Sequence, residues 1–110
     1  MSDDISLTLQ GVTTTINNLT AAEDQKAALE ALFSQLESTL RMYVSSHPAE
    51  TSQIATLARD SLDSLATPDR DSLKTNVNAL KAAANNIREL MPAVFGVAIT
   101  IAGSLLRLGS

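Results

Sequence analysis

The stretch LMPAVFGVAITIAGSLL, Leu90 to Leu106, holds 17 residues and no charge. Seven large apolar side chains lie in it after Pro92: Val94, Phe95, Val97, Ile99, Ile101, Leu105 and Leu106. At ~1.5–3 kcal/mol each, leaving all of them in water would forfeit roughly 10–20 kcal/mol. That matches or exceeds the net stability of a typical domain. The segment must therefore be buried in lipid, in the chain's own core or in another subunit. As a helix it is about 25 Å long, near the lower limit for crossing a bilayer. Arg107 does not exclude crossing, because a terminal guanidinium can reach back to the interface.

The pattern inside the stretch says more than its hydropathy. By 3/4 spacing Ala93, Gly96, Thr100, Gly103, Ser104 and Arg107 share one helical face. Gly96, Thr100 and Ser104 form a series of small residues four apart, which lets another helix approach closely. Two of the chain's four glycines fall here, although each costs about 1 kcal/mol inside a helix. The competing reading is a core helix whose small face meets its neighbours within one chain.

Upstream, the sequence predicts four amphipathic helices. Ile5, Leu9, Val12, Ile16 and Leu19 form a seam over 3–18, although Gly11 and Thr13-Thr14-Thr15 weaken a continuous helix. Thr20-Ala21-Ala22-Glu23 reads as a capping box opening a second helix to about Val44. Its seam is Leu29, Leu32, Phe33, Leu36, Leu40 and Tyr43. Pro48 suits the first position of a third helix, with Ile54, Leu57, Ala58, Leu62 and Leu65 as its apolar face. Thr67-Pro68 repeats that punctuation before a fourth helix bearing Leu73, Val77, Leu80, Ala84, Ile87 and Met91, spaced as an a/d seam. Lys74, Lys81 and Arg88 recur every seven residues beside it as a basic flank, which Arg107 extends. Pro92 must end that helix or kink it. A kink projects the apolar segment outward; a sharp turn folds it back.

The predicted fold is all-α: an elongated bundle of four amphipathic helices (1–91) plus a C-terminal apolar helix (92–110), kinked at Pro92 or reversed there. With four helices able to satisfy one another, the fifth is surplus apolar surface.

Composition narrows the function. The net charge is −4, which disfavours nucleic acid as a partner. The charge is uneven: residues 1–66 carry nine acids against three bases, and the rest carries three against five. There is no cysteine and one histidine, His47, before a proline, so one chain cannot assemble a familiar zinc set or a Cys/His dyad. Asp60 and Asp63 read as solvated surface, and no glycine-rich phosphate loop exists. The sequence thus predicts no enzyme, no cofactor and no metal. In general plan the chain resembles small helical bundles with a membrane-seeking helix at one end, such as tail-anchored adaptors and helical membrane-perturbing effectors. No residue role transfers from that likeness.

The leading expectation is a membrane-associated, self-associating protein with its bundle in the cytoplasm. In it Val94, Phe95, Val97, Ile99, Ile101, Leu105 and Leu106 enter lipid or an oligomer, and Ala93, Gly96, Thr100, Gly103 and Ser104 make the helix–helix contact. The alternative is a soluble cytoplasmic interaction or assembly module, with the last helix buried in its core or in a homo-oligomer and a protein partner beyond it.

Overall fold

The computed structural model describes residues 8–67 and 70–109. Five helices and no strand occur among them: α1 (Val12–Asn17), α2 (Glu23–Tyr43), α3 (Pro48–Ala66), α4 (Arg70–Asn86) and α5 (Pro92–Gly109). The fold is an all-α bundle, as the apolar periodicity predicts.

The first seam is buried as read: Leu9, Val12, Ile16 and Leu19 all face the core. The helix carrying it is interrupted. Gly11 adopts φ 86°, in the left-handed region, which glycine enters without the Cβ penalty. The chain therefore turns at Gly11 and α1 is only six residues long, too short to serve as a full bundle member. It lies against α2 and α3 instead. Lys26 Nζ donates to the Asn17 carbonyl over 3.0 Å, placing a cation at the C-terminal end of α1, where the helix dipole favours it. Ile5 lies outside the described residues.

Helix α2 begins at Glu23, later than the Thr20 capping box requires. Its N-cap is Ala22, whose backbone N–H donates to Gln25 Oε1 over 3.3 Å. The reciprocal half of the box is missing because alanine has no side-chain acceptor. Leu29, Phe33, Leu36 and Leu40 are buried, and Leu32 and Tyr43 pack at the edge. Helix α3 starts at Pro48 as predicted. Its buried surface is wider than the apolar seam, because Thr51, Ala55, Ser61 and Ser64 are also interior. Their hydroxyls bond back to their own helix: Thr51 Oγ1 to His47 O at 2.9 Å, Ser61 Oγ to Leu57 O at 2.8 Å and Ser64 Oγ to Asp60 O at 3.0 Å. Small residues on this face allow α4 to pack closely. Asn76 Nδ2 on α4 then donates to Ser64 Oγ over 2.7 Å, a polar link between the two helices. Thr67 turns its hydroxyl back to Ser64 O, 3.1 Å away. The Pro68 first-position reading lies outside the described residues.

All six residues of the fourth seam are buried, but α4 ends at Asn86, before the last two. Ile87 to Leu90 form a turn closed by Met91 N–H to Ile87 O at 2.7 Å. The Met91 carbonyl accepts the Phe95 N–H at 2.9 Å and so opens α5. Pro92 follows at the first helical position, where its missing N–H is harmless. Of the two geometries that Pro92 allows, the chain takes the sharp turn.

Consequently α2 to α5 run up and down. The start of α2, the end of α3, the start of α4 and the end of α5 meet at one pole, where they line a common cleft. Helix α5 packs against α2, α3 and α4. The molecule measures 37 × 24 × 20 Å, an elongated bundle little longer than α2 itself.

The left-handed turn gives a direct test. Gly11→Ala is expected to cost about 1–2 kcal/mol of unfolding free energy, read from urea denaturation, with Asn at the same position losing less.

Candidate interaction face on the C-terminal helix

Helix α5 sorts its side chains by size. Val94, Val97, Ala98, Ile101, Ala102 and Leu105 are buried, and four of these six have large side chains. Phe95, Ile99, Leu106 and Leu108 pack at the edge of the core, half-buried. The fully exposed arc contains only Pro92, Ala93, Gly96, Thr100 and Arg107, with Gly103 and Ser104 half-buried on its margin. Six of the 18 residues of α5 are buried, against four of 21 in α2 and five of 17 in α4. By this measure α5 is as interior as its neighbours.

Of the five small residues, Ala93, Gly96 and Thr100 are therefore brought together on one outward face with Gly103 and Ser104 at its margin, and the seven large apolar residues lie inward or on the flank. Two hydrogen bonds on the outward face stay within α5. Thr100 Oγ1 donates to the Gly96 carbonyl over 2.8 Å, and Arg107 Nη2 to Ser104 Oγ over 3.4 Å. Gly96 and Gly103 have no heavy atom within 4 Å of where a Cβ would stand. Neither has a positive φ. The monomer fold thus makes no use of the missing side chain at either position.

The basic flank is split. Lys74 and Arg88 are exposed, whereas Lys81 is half-buried on α4. The Arg88 guanidinium sits 6.0 Å from the centroid of the Phe95 ring, at the outer range of a cation–π contact. This contact ties the turn before α5 to the half-buried side of the helix. Arg107 lies at the pole where α4 starts, so it is near the Lys74 end of the flank and far from Arg88.

The remaining candidates do not converge. His47 is the N-cap of α3 and serves it through its carbonyl, which accepts from Thr51. Asp60 pairs with Arg59, Oδ1 to Nη2 at 3.2 Å, and Asp63 is exposed. No group of three or more His, Cys, Asp or Glu side chains is arranged to hold a metal ion among the described residues. What the apolar seam left out was the small polar face of α3. Its residues are Thr51, Ala55, Ser61 and Ser64, all too small or too polar to weigh as apolar.

Comparison with known protein families, curated proteins and solved structures found no match to this chain.

Two substitutions separate the faces of α5. Ile101→Ala is expected to lose about 2–5 kcal/mol of stability. Gly96→Ala should gain about 0.4–1 kcal/mol, because the added methyl meets open space and restricts the unfolded chain. Urea unfolding of both variants in dilute solution checks the pair.

Proposed function

We propose that this chain is a non-enzymatic, soluble all-helical interaction module that self-associates through the outward face of α5. The observation that carries the reading is the sorting within that helix: large side chains toward the core, and Ala93, Gly96, Thr100, Gly103 and Ser104 outward or marginal. Two glycines in a helix cost about 1 kcal/mol each, and the monomer derives no packing from them. Their use is in close approach by another helix. A second copy is the natural partner, because a face of small residues is self-complementary in shape and two such faces can meet about a two-fold axis. The Thr100 hydroxyl, already bonded to its own helix, needs no donor or acceptor from the partner.

A second reading is favoured by one observation. Pro92–Gly109 is an 18-residue helix of mean hydropathy 1.6, long and apolar enough to cross a membrane. In that reading α5 leaves the bundle at the Ile87–Met91 turn and inserts in a bilayer, anchoring or perturbing it. The same small-residue face would pair helices within the lipid. The cost is exposure of the α2, α3 and α4 surfaces that α5 now covers.

The two readings part in one experiment. For the soluble module, the full chain stays in solution without detergent, does not float with liposomes and sediments above its monomer mass. Gly96→Leu then weakens self-association by about tenfold or more, whereas Ala82→Leu, which puts the same side chain on the exposed side of α4, leaves it unchanged. Flotation with liposomes and a requirement for detergent would instead support insertion. A detergent-free monomer whose mass is unaffected by Gly96→Leu would exclude self-association through this face.

A further inference from the structure

We infer that two copies of the chain dock with their α5 helices parallel, so that α4 of each copy lies across α2 of the other. Self-association through the outward face of α5 is the premise, and the charges beside that face set its geometry. Two helices flank the face. The Arg88 guanidinium lies over the Phe95 ring, so this edge of α5 meets α4. Ser104 follows Phe95 by nine residues, about two and a half turns, and so stands on the opposite side of the helix. It lines a cleft with Gln25 and Ala28, so that edge meets α2. Lys74 and Lys81 stand fourteen and seven residues before Arg88 and share its edge of α4. Asn76 turns the other edge of α4 to Ser64 on α3.

The two flanks differ in charge. Helix α4 carries Arg70, Lys74 and Lys81 against Asp71, a net of +2, and Arg88 and Glu89 cancel in the turn that follows. Helix α2 carries Glu23, Asp24, Glu30 and Glu37 against Lys26 and Arg41, a net of −2. Lys74 and Lys81 make no ion pair among the described residues. Glu30 and Glu37 line the side of α2 toward Leu9 and Val12, whereas Glu23 and Asp24 are exposed at its start. A two-fold axis along α5 makes the pair parallel and swings each α4 over the other copy's α2, opposing +2 to −2 twice. An axis across α5 makes it antiparallel and sets α4 on α4 and α2 on α2, like charge on like. Helices α2 and α4 run in the same direction, so parallel docking brings Lys74, near the start of α4, closest to Glu23 and Asp24 of the other copy. It also gathers both Arg107 side chains at this pole, where the same acids of the two copies outnumber them.

The chain has no cysteine, so an introduced thiol reports its own position. Ala93 and Arg107, exposed near opposite ends of α5, are changed singly to Cys in the full chain. One variant is isotope-labelled, and dimers formed by mild oxidation are identified by mass spectrometry. For parallel docking Ala93→Cys and Arg107→Cys each link to themselves, and an equimolar mixture yields no mixed product. In the cysteine-free chain, Lys74→Gln combined with Lys81→Gln is expected to weaken association about two- to fivefold, read by sedimentation at low salt. An antiparallel pair reverses both results, giving mixed product alone and tighter association once like charges are removed. Mixed product, a dimer linked at neither position, or unchanged or tighter association of the lysine variant would each overturn parallel docking while leaving self-association standing. A chain that sediments as a monomer at every concentration would remove self-association and this geometry together.

Discussion

The bundle depends on burying the inner face of α5. Val94, Ile101 and Leu105 are inaccessible to solvent, and the helix that carries them touches α2, α3 and α4 together. Helix α1 cannot take that place: six residues bury one and a half turns, and Gly11 prevents the element from extending as a straight rod. Without α5, the apolar stripes of α2 and α4 would face a gap. The surplus of apolar surface in Val94–Leu106 and the shortage elsewhere in the bundle are thus one fact seen from two sides. Burial of several large side chains, at ~1.5–3 kcal/mol each, is of the same order as the whole stability of a domain this size.

Much of this was legible from periodicity. The seams over Leu9–Leu19, Leu29–Tyr43, Ile54–Leu65 and Leu73–Met91 are interior or at the core's edge, because a one-sided apolar stripe on a helix has nowhere else to go. Three things were not legible, each for a physical reason. Gly11 sits inside a seam whose spacing continues across it, so the left-handed turn leaves the apolar pattern intact while breaking the helix. Asn86 ends α4 although Ile87 and Met91 keep the register, because a turn can bury the same residues that a further helical turn would. Ser61 and Ser64 are interior because α4 approaches closely, and closeness is a property of the pair of helices.

The face of α5 illustrates a different limit. The spacing of Ala93, Gly96, Thr100, Gly103 and Ser104 puts them on one side of a helix with certainty, but spacing alone does not say whether that side looks in or out. Tertiary packing decides it, here by seating the bulkier opposite face against three helices.

Chain order gives the position of α5 a further meaning. Helices α2, α3 and α4 are all made before the element that seals them, so during synthesis their stripes must wait, loosely collapsed, for the last rod to arrive. Folding of the bundle is in this sense postponed to the emergence of Val94 through Leu105. A chain that stops between Asn86 and Pro92 holds α2, α3 and α4 as an open sheaf, apolar along the side that α5 would cover.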